Sequence, residues 1–183
     1  AMGIPKEKLE IILVQLVRLV RGGEEVKMSK RKGEFITLDE LVKEAGVDAA
    51  RFFFLMYSPN THMDFDLDLA KEKSSKNPVY YAQYAYTRAH AILEKAKIQI
   101  TNFKFPISNA VKDYKFETED ELRLIKQLVQ FPDIILQTAE DYQVNRLTRY
   151  ATDLARAFHN FYEKERAITD NVQETEMRLA LVF

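Results

Sequence analysis

The stretch "NPVYYAQYAYTRAHAILEKA", residues 77–96, decides the fold. It opens with an asparagine, a good helix cap, followed by a proline, whose fixed φ suits the first position of a helix. No further proline or glycine follows within the stretch, so it predicts one long helix. Tyr81, Tyr84 and Arg88 are spaced at i, i+3 and i+7 and therefore share one face of that helix. Tyr80 is expected in the core.

The sequence after this helix also favours helices. Residues 97–120 are polar with a weak pattern, which predicts a long surface loop. Thr118 and Glu121 form a capping box that predicts a helix start. Pro132 is expected to begin a further helix, and another long helix is expected over about 144–166. In that last helix Phe158 and Phe161 are expected to be buried, and His159 to be a partly exposed packing residue.

The sequence before residue 77 has a mixed pattern. "KEKLEIILVQLVRLV", residues 6–20, has apolar residues three and four apart, which predicts an amphipathic helix ended by Gly22-Gly23. A capping box at Thr37 and Glu40 predicts a second helix. "MDFDLDL", residues 63–69, alternates like a strand, yet its aspartates could cap a helix, so we expect an extended entry to a helix.

These patterns predict a mainly α protein in two parts. Residues 1–75 form a mixed module, and residues 76–183 form a helical bundle. Ala1 precedes the first methionine and the last helix ends on apolar residues, which we interpret as a piece cut at both ends.

Composition excludes several classes of protein. The chain has no cysteine, so it can form neither disulfides nor thiolate metal sites. Its three histidines are far apart in sequence, and no protein-bound metal is expected. No apolar run reaches the roughly 20 residues that span a bilayer, so we expect no membrane partner and a cytoplasmic location. The formal net charge is −1, so any contact with nucleic acid must depend on local features.

A basic segment, "VKMSKRKG", lies at residues 26–33. Four cations in eight residues suit a polyphosphate, because lysines can follow negative charge as a phosphoryl or nucleotidyl group is transferred. The alternative is a solvated basic loop. The chain contains no G-x-x-x-x-G-K-[ST] motif, which excludes a P-loop.

The order Lys27-Met28-Ser29-Lys30 resembles the KMSKS signature of class I aminoacyl-tRNA synthetases. Other strings are similar to arginyl-tRNA synthetases in particular. They are "VDAARFFFLM" (47–56), "DFDLDLA" (64–70), "NPVYYAQYA" (77–85) and "LARAFHNFYEKERAI" (154–168). The resemblance covers nearly the whole chain and is weakest over 98–117. The combination of strings is specific, whereas no single one would suffice.

This resemblance implies a fold and an activity. The fold would be the end of a class I catalytic core, with its KMSK loop, followed by an α-helical anticodon-binding domain. The activity would be that of an arginine–tRNA ligase, which uses ATP, with Mg2+ as the phosphate counter-ion, to join L-arginine to its tRNA. Lys27 and Lys30 would be catalytic, with Lys30 neutralising charge on the leaving pyrophosphate, and Met28 and Ser29 would also lie at the ATP. The signature's last position, often Ser, is Arg31 here.

The sequence departs from such an enzyme in a further respect. No "HxGH" string is present, so the HIGH-type motif that completes the active site is missing. Adenylate formation needs a carboxylate and an α-phosphate held in line, and a basic loop cannot supply that alignment. We therefore expect this chain to be inactive alone.

The resemblance also implies tRNA-binding residues, namely Tyr81, Tyr84, Arg88 and Tyr162. Tyrosine rings and a guanidinium on one surface can stack on unpaired bases, as in an anticodon loop. The alternative is that the tyrosines pack in the core with their hydroxyls at the surface. Two other functions remain open: a helical RNA-binding module without a catalytic role, and a protein-interaction domain that binds a partner helix.

Overall fold

The computed structural model describes residues 5, 8–26, 36–96 and 114–183. Within these ranges three short strands form one sheet in the order β2-β1-β3. The strands are β1 (Val17–Arg21), β2 (Glu24–Glu25) and β3 (Met63–Asp66). The helices are α1 (Leu38–Ala45), α2 (Val47–Leu55), α3 (Leu67–Lys71), α4 (Pro78–Lys95), α5 (Glu119–Asp141), α6 (Asn145–Lys164) and α7 (Val172–Val182). None of these helices is both long and apolar enough to cross a bilayer.

The predicted helix over residues 6–20 is wrong. Its last part is β1, which pairs antiparallel with β2 and parallel with β3. Gly22 and Gly23, with φ of 62° and 81°, make the turn between β1 and β2 instead of ending a helix. Nine of the twelve residues from Leu9 to Val20 are apolar, so this part of the run fits a helical period and a strand about equally well. Pairing with β3, more than 40 residues away, decides between them.

The segment at residues 63–69 contains both a strand, β3, and the start of a helix, α3. Met63 and Phe65 are buried on one face of β3. The next residue, Asp66, begins α3, because its carboxylate accepts hydrogen bonds from the backbone N–H groups of Asp68 and Leu69 at 2.9 and 3.0 Å. The extended entry to a helix is therefore confirmed.

Two apolar cores hold the described residues together. The first lies where the sheet packs on α1–α3, and it includes Phe53, Phe65 and Leu67. The second lies among α4, α5, α6 and α7 and contains Leu124 and the expected Phe158 and Phe161. A hydrogen bond from the Thr148 hydroxyl to the Leu55 carbonyl, at 3.1 Å, connects α6 to α2 across the two cores.

Pro132 lies inside α5 rather than at the start of a helix. A proline inside a helix lacks one N–H donor and strains the preceding turn. Beside it, Tyr150 of α6 stacks on Phe131 with the ring centroids 5.4 Å apart, and its hydroxyl donates to the Gln127 carbonyl at 3.0 Å. This packing involves a second helix and accompanies the continuation of α5 through the proline, so the proline alone does not predict it.

The cap of α4 ties that helix to the end of α3. Asn77 is buried, and its Oδ1 accepts from the Val79 and Tyr80 N–H groups. Its Nδ2 donates to the carbonyls of Ala70 and Glu72 at 3.1 and 2.9 Å. The Asn77 side chain therefore caps the start of α4 and also donates hydrogen bonds to carbonyl groups at the end of α3.

Replacing Asn77 with alanine is expected to lower the free energy of unfolding by about 2 kcal/mol, because both the cap and the two donated bonds are lost. Asn77→Ser keeps an oxygen that can accept at the cap and loses the Nδ2 donors, so its loss should be smaller. Urea unfolding followed by circular dichroism measures both. Equal stability of the alanine variant and the wild type would contradict this role.

Candidate RNA interface

Helices α4 and α6 bring the four predicted tRNA-binding residues together. The guanidinium carbon of Arg88 lies 4.4 Å from the ring centroid of Tyr84 and 4.5 Å from that of Tyr162. Both rings are 40% exposed, and Arg88 is half-buried between them. The fourth residue, Tyr81, is one turn before Tyr84 and is partly buried against the helical core. Cation–π contacts of this kind hold the planar guanidinium in one position.

Hydrogen bonding and stacking fix the Tyr84 ring further. Arg88 Nη2 donates to the Tyr84 hydroxyl at 2.7 Å. Tyr80 also stacks nearly parallel on Tyr84, with an interplanar angle of 6° and centroids 6.1 Å apart. Tyr80 is half-buried, so its expected place in the core is only partly correct.

His159 is a residue of this site that the sequence pattern does not reveal. It is 5% exposed, in contrast to the partly exposed position expected. Its ring centroid is 4.6 Å from that of Tyr81 and 5.6 Å from that of Tyr84. Its Nε2 lies 3.4 Å from the Tyr81 carbonyl oxygen. The buried imidazole therefore packs against both tyrosine rings.

The surroundings of His159 favour its neutral form. Burial lowers the pKa of His159, and the hydrogen bond to the Tyr81 carbonyl opposes that effect. The positive charge of Arg88 lowers the pKa further, while Glu163 raises it slightly. The net direction is down from the ordinary value, so the ring is uncharged at neutral pH.

A pH dependence of stability follows from this shift. Between the lowered folded pKa and the ordinary value near 6.5, the unfolded chain binds more protons than the folded one. The free energy of unfolding should therefore fall as pH is lowered from 7 toward 5.5, with a slope of at most about 1.4 kcal/mol per pH unit. His159→Gln should flatten this part of the urea-unfolding profile. An unchanged slope in that variant would assign the dependence to other groups.

A cavity of about 280 Å³ opens beside these rings. It is lined by Ser75, Tyr80, Tyr81, Tyr84, Arg88, His159, Asn160 and Glu163. Four of its lining residues carry aromatic rings, and Arg88 contributes N–H donors. A flat heteroaromatic group can stack and hydrogen-bond in such a cavity. The aromatic face of α4 is therefore not sealed inside the bundle.

The arginines of α6 are paired with acidic neighbours. Arg156 and Arg149 contact the two oxygens of Asp153 at 2.7 and 3.8 Å, and Arg146 forms a bidentate pair with Asp141. These pairs neutralise much of the positive charge on the surface of α6. Shape and stacking therefore distinguish the site more than bulk charge does.

The predicted ATP site cannot be compared with the structure. Lys27, Met28, Ser29 and Lys30 lie outside the described residues, so their catalytic and ATP-binding roles stay predictions. In the parts of the chain that are described, no three His, Asp or Glu side chains gather where they could hold a metal ion.

Comparison with known sequences finds relatives that align with the whole chain. It is 48% identical over 182 residues to an arginine–tRNA ligase of Desulforamulus reducens, and 45% identical over 183 residues to one of Geobacillus kaustophilus. Each alignment covers all of this chain and 32% of the relative. The chain thus spans about a third of the length of the curated relatives it matches.

Solved structures agree with the sequence relatives. The fold matches a protein from Campylobacter jejuni that is assigned as an arginyl-tRNA synthetase, with a TM-score of 0.81, 30% identity, and coverage of 99% of this chain and 38% of the other. Thermus thermophilus arginyl-tRNA synthetase matches with a TM-score of 0.60 and 25% identity, over 84% of this chain and 25% of the other. The predicted mainly α fold and the resemblance are therefore confirmed.

The family model of the DALR anticodon binding domain matches residues 82–183. That range contains Tyr84, Arg88, His159 and Tyr162, so it covers most of the aromatic site. Since the match includes more than half of the residues, the chain belongs to the DALR anticodon binding domain family, and over its whole length it is related to arginine–tRNA ligases.

Proposed function

We propose that this chain works as part of an arginine–tRNA ligase, in which residues 76–183 bind the anticodon loop and residues 1–75 supply the KMSK loop. The enzyme would join L-arginine to its tRNA with ATP in the cytoplasm. The family match over 82–183 and the relatives' names support this assignment. The boundary after residue 75 belongs to the proposal.

The observation that most supports RNA binding is the position of Arg88 between Tyr84 and Tyr162 at an open cavity. Unpaired bases are bound by stacking on tyrosine rings and guanidinium planes and by hydrogen bonds to their edges. Each stacked base contributes about 1–3 kcal/mol. We propose that Tyr81, Tyr84, Arg88 and Tyr162 bind one such base.

Charge in the bundle supports recognition by specific contacts. Residues 76–183 contain fifteen Lys and Arg and fifteen Asp and Glu, so this part has no net charge. Nonspecific attraction to phosphates is correspondingly weak. Contacts to bases must then supply much of the affinity, which favours selection of one tRNA over others.

For the KMSK segment the proposal stays at the level of residue roles. Lys27 and Lys30 would neutralise charge on the leaving pyrophosphate, Ser29 would donate to a phosphate oxygen, and Met28 would pack to hold the segment. Mg2+ would accompany the ATP phosphates rather than bind protein ligands alone.

Titration with two tRNAs tests the proposal. Binding of an arginine tRNA is compared with that of the same tRNA carrying a changed anticodon, at one fixed salt concentration. We expect the change to weaken binding at least tenfold, because base contacts supply much of the affinity. Equal affinity for both would exclude anticodon recognition, and a protein-interaction domain would bind neither.

The purified chain is expected to show no arginine-dependent pyrophosphate exchange above a blank without protein. The sequence contains no HxGH motif, so nothing aligns the carboxylate with the α-phosphate. The assay is incorporation of labelled pyrophosphate into ATP, with tRNA present and absent. Exchange that depends on Lys30, and disappears in Lys30→Ala, would overturn this expectation.

A further inference from the structure

A second cavity adjoins the one beside Arg88. It measures about 500 Å³ and opens among α2, β3, α4 and α6. Ser75 and Tyr81 line both cavities, so the two share a wall. Tyr81 therefore lies between the two cavities.

The larger cavity combines an apolar floor with a basic rim. Apolar atoms come from Phe53, Met56, Leu69 and Pro78. The rim includes two exposed cationic side chains, Lys76, which precedes α4, and Arg156 of α6. An apolar floor suits the face of a base, and cations at the rim suit a phosphate.

The carboxylates that line the cavity already have partners. Both oxygens of Asp64 accept from Arg18, at 2.7 and 3.0 Å. Asp66 caps α3 through Oδ1. Their negative charge is therefore partly compensated within the protein, and it opposes an incoming phosphate less than two unpaired carboxylates would.

Arg156 can be released to a phosphate at low cost. Its ion pair with Asp153 is largely exposed, and such pairs contribute little to stability. Asp153 would keep a partner after the release, because Arg149 lies 3.8 Å from its other oxygen. The ion pair therefore keeps Arg156 at the rim of the cavity but can be broken when a phosphate binds.

We propose that this larger cavity binds a second unpaired nucleotide, adjacent in the RNA to the one bound in the cavity beside Arg88. Its base lies against the apolar floor, Tyr81 separates the two bases, and Arg156 contacts the phosphate. The proposal rests on the anticodon-binding function proposed above and extends it from one nucleotide to two.

Matched arginine variants test the phosphate contact. Arg156→Gln and Arg149→Gln each remove one charge from α6 and one partner of Asp153, but only Arg156 lines the cavity. With an anticodon stem-loop RNA, we expect Arg156→Gln to weaken binding about tenfold and Arg149→Gln less than twofold. The slope of log affinity against log salt should decrease by about one in Arg156→Gln only. Thermal unfolding of both variants checks that they are folded.

Abasic RNAs test the second base. Removing the base at each loop position in turn should reveal two neighbouring positions where wild-type affinity falls at least fivefold. In Arg88→Gln one of these losses should disappear, because its base contact is already gone, and the other should persist.

The outcomes separate the two proposals. Equal effects of the Arg156 and Arg149 variants, or a single sensitive position, would overturn the second nucleotide site while the Arg88 site stands. No measurable binding of the stem-loop by the wild-type chain would overturn the proposed function itself.

Discussion

Replacing Arg178 with methionine is expected to lower the free energy of unfolding by about 3–5 kcal/mol. Arg178 is only 6% exposed. Its Nε donates to Glu121 at 2.8 Å, its Nη2 to Glu165 at 2.9 Å, and its Nη1 to the Arg166 carbonyl at 3.0 Å. This one side chain therefore connects α7 to the start of α5 and to the end of α6.

The large effect comes from the carboxylate left behind. Glu121 is 1% exposed and also serves the capping box with Thr118. Burial raises the pKa of Glu121, but the hydrogen bonds from Arg178 and from the Thr118 backbone outweigh it and hold the pKa below its ordinary value. Without Arg178, a buried negative charge loses its main partner.

Two controls separate this cause from simple loss of packing. Arg149→Met removes an arginine side chain that is 85% exposed, and it should change stability by less than about 0.5 kcal/mol. Arg178→Met combined with Glu121→Gln removes the unpaired charge and should regain part of the loss. Urea unfolding measures all three. A double variant no more stable than Arg178→Met would contradict the electrostatic explanation.

Replacing Arg88 with methionine is expected to weaken binding of an anticodon stem-loop by about 10–100-fold. Methionine retains much of the side-chain length but has neither the planar guanidinium nor its N–H donors. The variant removes the central group between Tyr84 and Tyr162 and therefore both stacking contacts. Fluorescence anisotropy with a labelled stem-loop at fixed salt gives the dissociation constants.

Variants of Tyr84 separate the contribution of its hydroxyl to RNA binding from that of its ring. Tyr84→Phe loses only the hydroxyl that accepts from Arg88, so a change of a few-fold is expected. Tyr84→Ala removes the ring and should approach the Arg88→Met result. Arg149→Met is the matched control for a lost charge. If Arg88→Met and Arg149→Met bind alike, the site between α4 and α6 is not the RNA interface.

Local signals predicted the elements that depend on local interactions. The capping boxes at Thr37 and Thr118 and the Asn77-Pro78 start all appear at the predicted helix ends. The failures lie where distant residues decide. Val17–Arg21 becomes a strand because β3 pairs with it, and α5 continues through Pro132, where Tyr150 of α6 packs beside it.

The candidate site shows the same division. Spacing alone put Tyr81, Tyr84 and Arg88 on one face of α4, while the inclusion of Tyr162 came from the family resemblance. The support of the rings by His159 could not be predicted, because His159 and Tyr81 are 78 residues apart and meet only when α4 and α6 pack. Periodicity within one helix contains no information on that contact.

The sandwich of Arg88 between two tyrosines has a consequence for the entropy of association. A free arginine side chain loses up to about 2 kcal/mol of rotamer freedom when it is immobilised. Here that freedom is already restricted when the chain folds, before any RNA arrives. In the unbound protein the Arg88 side chain is thus already ordered. Binding of a ligand should therefore need little further ordering of the protein side chains that it contacts.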